Sequence, residues 1–80
     1  MNQASVDAKD RLTQYAARIG VLLKLESNGP SCRVLIDSAA DLVLDEMIVS
    51  YIEEEMGLQI TNDPIRWTEP WRPLGIIVLS

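Results

Sequence analysis

The sequence predicts an α+β fold: a single small domain over residues 1–80, elements in the order α-β-β-α-β, and a three-stranded sheet packed with two helices. Three observations predict it. Apolar residues recur at three- and four-residue steps in two separate stretches, the period of an amphipathic helix. Between those stretches they alternate with polar residues on both sides of an Asn-Gly turn signal. The chain then closes on a continuous, β-prone apolar run. Eighty residues with 48% hydrophobic content suit one compact core with no second lobe.

In the first stretch Ala8, Leu12, Tyr15, Ala16 and Ile19 share one side, while Lys9, Asp10, Arg11, Thr13, Gln14 and Arg18 lie on the other. This spacing predicts a helix over 6–19. Ser5 is placed to cap its first turn, Asp7 suits the positive end of its dipole, and Asp7 to Arg11 is a favourable i,i+4 pair. Gly20 suits the residue after the helix, where a left-handed backbone costs glycine nothing. A competing reading carries the helix on through Leu22 and Leu23, which also continue its stripe.

Alternation favours the stop at Gly20. Val21, Leu23 and Leu25 point one way and Leu22, Lys24 and Glu26 the other; Cys32, Val34 and Ile36 then oppose Arg33, Leu35 and Asp37. Two strands joined by the five residues Ser27-Asn28-Gly29-Pro30-Ser31 make a hairpin, with its inner face on the first helix.

Ser38 or Asp41 opens the second helix, which runs to about residue 56 before Gly57. Leu44, Met47, Ile48, Tyr51, Ile52 and Met56 share one face, and Glu46, Ser50, Glu53 and Glu54 lie opposite. Leu42 and Val49 widen the apolar arc beyond what one sheet needs, so the arc predicts two neighbours or a homodimer. A strand over 42–47 stays open as an alternative. Residues 61–73 hold three of the four prolines and read as an irregular loop. The run 75–79 reads as a closing strand buried on both faces.

Composition excludes several reaction classes. With no His and a single Cys, the chain cannot form a Ser-His-Asp triad, a Cys-His dyad or a Cys/His zinc site. The glycines stand apart, which rules out a phosphate cradle, and no oxygen-rich loop has calcium-binding spacing. Asp41 and Asp45, four apart on a helix, are placed to share a proton or hold a cation, with Asp45 at the edge of the apolar arc. Cys32 falls on the inward face of its strand, where a thiol behaves as a small buried hydrophobe. These readings predict no enzyme, no cofactor and no metal. The chain starts with no basic stretch leading into an apolar run and holds no apolar run of spanning length. The expected location is therefore cytoplasmic, with no membrane contact.

Charge is the most informative feature. Of twelve acidic residues, eight lie between Arg33 and Arg66, a stretch with no Lys or Arg; the rest of the chain holds all seven basic residues. The second helix is thus a negative pole. Solvation accounts for such a face; so does docking of another protein, one that is basic or that itself binds nucleic acid. Direct nucleic-acid binding is disfavoured, because the basic residues are scattered singly. The second feature is Arg66-Trp67-Thr68-Glu69-Pro70-Trp71-Arg72-Pro73, which joins the residue types most enriched at binding hot spots to prolines that pre-order a loop. The same tryptophans could instead cap the core of a chain that lacks Phe. The predicted partner-binding residues are Glu46, Glu53, Glu54, Arg66, Trp67, Trp71 and Arg72.

Two families share parts of this pattern. Arg18-Ile19-Gly20, Leu23-Lys24-Leu25, Asn28-Gly29 and Cys32-Arg33-Val34-Leu35-Ile36-Asp37 resemble the opening helix and hairpin of the small acidic type III secretion chaperones. That resemblance covers about a third of the chain and implies a dimeric cytoplasmic protein that holds an extended segment of its client. Asp37-Ser38 ahead of an acidic helix, with Ile52-Glu53-Glu54-Glu55-Met56-Gly57 at its end, is similar to acyl carrier proteins, and implies phosphopantetheine on Ser38. The reading favoured by the residues is a small acidic, non-enzymatic protein-interaction module, an inhibitor, adaptor or chaperone-like subunit; the acyl-carrier-like protein is the alternative.

Overall fold

The computed structural model describes residues 3–64 and 68–79, with side chains in the first helix described from residue 7 onward. The order is α1 (Gln3–Ile19), β1 (Leu23–Asn28), β2 (Ser31–Asp37), α2 (Leu42–Ser50) running into a π turn (Tyr51–Glu55), β3 (Ile60–Thr61) and β4 (Trp71–Val78). The sheet is antiparallel throughout, in the order β1-β2-β4-β3. It therefore has four strands where the sequence predicts three, and the closing strand lies inside the sheet with β3 on its far side.

Helix α1 begins before the predicted residue 6. Ser5 falls inside it instead of capping it, since Gln3 and Ala4 are good helix formers and nothing there breaks the run. The stop at Gly20 is as predicted. Val21 does not start β1, because its amide donates to the Ala16 carbonyl at 2.9 Å and so completes the helix end. Arg11 does not turn to Asp7; its Nη2 reaches the Glu55 carbonyl at 3.4 Å and its guanidinium lies 5.9 Å from the Tyr51 ring centre.

The hairpin turn is tighter than the predicted five-residue loop. Asn28 pairs directly with Ser31, leaving Gly29 and Pro30 as the turn. Gly29 has φ +60°, the left-handed value needed at the first position of a type II′ turn, and proline supplies the negative φ of the second. The Ser31 hydroxyl donates to the Asn28 carbonyl at 2.9 Å and closes it.

Cys32, Val34 and Ile36 of β2 and Ile77 of β4 face both helices in one core with Leu12 and Ala16 of α1, Val21, and Ile48 and Ile52 of α2. Both helices therefore cover the same sheet face. Each fully buried Leu or Ile there contributes about 1.5–3 kcal/mol.

Strand β4 starts at Trp71, inside the predicted loop. A bulge makes this workable: Val34 pairs with Gly75 and Leu35 with Pro73, so Leu74 is the extra residue. Beyond the bulge the alternation changes phase, so Arg72 shares the helix-covered face with Ile36 while Trp71 shares the outer face with Asp37. The outer face is only partly covered: Leu35 is buried, but Val78 is 54% exposed, against the expectation of burial on both sides.

Strand β3 crosses close over Gly75. A β-carbon there would stand 2.5 Å from the Thr61 carbonyl oxygen and 2.6 Å from Ile60 Cγ1, and the φ of +156° is one that glycine alone adopts readily.

Asp41, not Ser38, opens α2; its carboxylate accepts the Leu44 amide at 3.1 Å. Residues 42–47 are helical and not strand. The helix ends in a π turn, closed by the Met56 amide on the Tyr51 carbonyl at 3.0 Å. Among the described residues, no helix is long and apolar enough to cross a membrane.

Candidate protein-binding site

A hollow of about 540 Å³ lies between α1 and α2. It is lined by Tyr15 and Arg18 from α1 and by Val43, Glu46, Met47, Ser50, Tyr51, Glu54 and Glu55 from α2 and its π turn. Its floor is aromatic, because Tyr15 and Tyr51 stack with ring centres 4.1 Å apart and planes 11° from parallel. Helical steps of three and four set Val43, Met47, Ser50 and Glu54 in a row. The π turn then slips the phase by a residue, and Glu55 joins Glu54 at the rim.

Helix α2 divides its apolar residues between two tasks. Ile48 and Ile52 are fully buried, while Leu42, Val43 and Met47 are 74%, 64% and 36% exposed. Leu42 and Met47 belong to the predicted arc, whereas Val43 lies off it and Val49, which the arc included, is half-buried. The acidic residues divide as well. Asp37 accepts the Ala39 amide at 2.9 Å and Asp41 caps α2, while Asp45 and Asp63 hold Arg72 and Arg33. Glu46, Glu53, Glu54 and Glu55 remain exposed, and none of them forms an ion pair with another described residue.

The predicted site residues do not form one surface. Glu46 and Glu54 line the groove, whereas Glu53 is exposed beside it without lining it. Arg66 and Trp67 lie outside the described residues. Trp71 is half-buried on the opposite side of the sheet, at a second hollow of about 370 Å³ with Pro70, Thr68, Glu69, Leu35, Arg33, Lys24 and Glu26. Arg72 turns inward, with Nη1 2.5 Å from Asp45 Oδ2, Nη2 2.9 Å from Asp45 Oδ1, and Nη2 donating to the Ala40 carbonyl at 2.8 Å. Hydrogen bonding to Asp45 holds the Arg72 guanidinium above its ordinary pKa. On the outer face Arg33 gives Nε to Asp63 at 2.7 Å and Nη1 to Glu26 at 2.9 Å, and the Asp63 bond raises its pKa in the same way.

Asp41 and Asp45 are thus committed separately, one to a cap and one to an arginine. Cys32 is fully buried, and desolvation pushes its thiol pKa up, away from the reactive thiolate. The Ser38 hydroxyl donates to the Glu69 carboxylate at 2.7 Å, in the turn ahead of α2. Among the described residues no group of three or more Asp, Glu or Cys is arranged to hold a metal ion.

Sequence reasoning missed Arg18 and Val43 as groove residues and treated Tyr15 and Tyr51 as core. Both tyrosines stood on the apolar stripes of their helices, and the signal was that a hydroxyl-bearing ring on each stripe suits the wet margin of a helix pair. Comparison of the chain with protein-family models, curated proteins and solved structures finds no significant match.

Proposed function

We propose that this chain is a non-enzymatic protein-binding module whose α1/α2 groove takes a basic, amphipathic helical segment of a partner protein. The observation that carries the reading is the groove's layout: exposed Val43 and Met47 over a tyrosine floor, with Glu46, Glu54 and Glu55 at the rim and Arg18 as the lining cation. A channel between two helices fits a third helix, whose apolar residues would enter it while its Lys or Arg meet the glutamates. Such a surface suits an inhibitor, an adaptor or a chaperone-like subunit. The separate commitments of Asp41, Asp45 and Asp63, and the buried Cys32, favour binding over chemistry. The carrier-like alternative at Ser38 has no comparable support, since that hydroxyl is engaged by Glu69.

The test is a titration with a labelled Lys/Leu amphipathic peptide of about five helical turns, against a Glu/Leu peptide of the same pattern. The Lys/Leu peptide should bind, more weakly as salt rises, and the Glu/Leu peptide should not. Glu46→Lys should weaken binding about tenfold while Glu53→Lys, an equal change of net charge outside the groove, should weaken it much less. Equal losses from the two variants would mean that net charge, and not the groove, attracts the peptide.

A further inference from the structure

The two edges of the sheet are unlike. At one edge β3 pairs over only Ile60 and Thr61; at the other, β1 runs for six residues, Leu23 to Asn28, with no proline, glycine or bulge. Long regular edges present unpaired amides and carbonyls, and proteins that must stay monomeric usually blunt them.

The tight turn fixes which groups β1 presents. Asn28 and Ser31 flank a two-residue turn, so they form a hydrogen-bonded pair, and such pairs recur at every second residue. Glu26 and Lys24 therefore bond to β2, in phase with the Leu22 carbonyl, which accepts the Asp37 amide at 3.2 Å. Leu23, Leu25 and Ser27 turn their amides and carbonyls outward, away from the sheet.

We propose that the partner of this edge is a second copy of the chain, paired antiparallel about a two-fold axis at Leu25. In that register Leu25 bonds reciprocally with Leu25 of the second copy, and Leu23 bonds with Ser27. Lys24 comes opposite Glu26 on both sides of the axis. Within one chain Lys24 and Glu26 are already 3.4 Å apart on the outer face, so the edge carries a positive and a negative group whose order reverses under the two-fold. Moving the axis by one residue destroys the match: at residue 24 lysine meets lysine, and at residue 26 glutamate meets glutamate, each destabilising. The charge pattern thus selects one register. In it Leu22, 66% exposed, lies opposite Asn28 of the second copy, and the half-buried Leu25 side chains meet on the helix-covered side. An axis perpendicular to the sheet keeps both helical layers on one side.

Amide hydrogen exchange followed from micromolar to millimolar protein tests this. The amides of Leu23, Leu25 and Ser27 should gain protection as concentration rises, while those of Lys24 and Glu26, bonded to β2, stay protected throughout. Lys24→Glu and Glu26→Lys should each weaken self-association about tenfold, and an equal mixture of the two should regain it, because every facing pair then joins opposite charges. Fast exchange at Leu23, Leu25 and Ser27 in millimolar protein overturns the proposal, as does a dimer whose added protection lies on α2. Should Glu26→Lys fail to fold through loss of its Arg33 contact, the exchange profiles of the natural chain and of Lys24→Glu still decide.

Discussion

Asp45→Ala cuts the tie between α2 and β4 and asks whether Arg72 belongs to the fold or to a partner. The guanidinium takes both Asp45 oxygens and the Ala40 carbonyl, with side-chain exposures of 23% for Arg72 and 14% for Asp45. An arginine keeps its charge with or without a carboxylate partner, so truncating Asp45 strands a cation with water on one side. Exposed ion pairs contribute about 0–1 kcal/mol, and losing one partner of a fully buried pair costs about 3–5. A guanidinium with 23% of its side chain exposed falls between, near 2 kcal/mol. In a domain this small that corresponds to a melting temperature lower by about 8–16 °C. Urea unfolding followed by far-ultraviolet circular dichroism measures it. Asp45→Asn, which keeps the shape and part of the hydrogen bonding, should cost less. A loss under about 0.5 kcal/mol for Asp45→Ala would mean that the pair does not hold α2 to β4, and would return Arg72 to the set of residues free to meet a partner.

Three further outcomes are expected. Gly75→Ala should detach β3 or strain β4, since its β-carbon collides with the Thr61 carbonyl; a cost of about 1–3 kcal/mol with loss of exchange protection at Ile60 and Thr61 is the signature. The Cys32 thiol has a pKa raised by burial, so the folded state holds its proton longer than the unfolded one; its stabilisation is complete below the ordinary value of 9.0 and is lost as pH rises above it. The pH slope of stability in that range should be shallower in Cys32→Ala, and native protein should react slowly with thiol reagents. Trp71→Ala should leave the affinity of the groove for a basic peptide unchanged, because Trp71 faces the other side of the sheet.

What the sequence made legible is what local chemistry dictates. The stripe of α1, its stop at Gly20, the inward set Cys32, Val34 and Ile36, and the acidic side of α2 follow from periodicity and punctuation, and each is where the spacing placed it. The misses share a cause, namely tertiary context overriding a local signal. Pro70 and Pro73 read as loop residues, yet Pro73 sits in β4 beside the Leu74 bulge, where β3 no longer reaches and the strand has a neighbour on one side only. A two-residue strand such as β3 carries no pattern of its own and exists because Gly75 lets it approach. The same bulge decided the site. Without the extra residue Arg72 and Trp71 would exchange faces, and nothing in Trp71-Arg72-Pro73-Leu74 announces that phase change. The groove was half legible: Glu46 and Glu54 were found from charge, whereas Arg18 and Val43 required knowing that α1 and α2 lie side by side.

Amide chemical-shift mapping during the Lys/Leu peptide titration shows whether a basic amphipathic segment docks in the α1/α2 groove. Saturable shifts should cluster on Arg18, Val43, Met47, Ser50 and Glu54, with Leu35, Thr68 and Trp71 unmoved. Shifts centred on Trp71 and the outer sheet face, or small shifts spread over every acidic residue of the chain, would contradict docking in the groove.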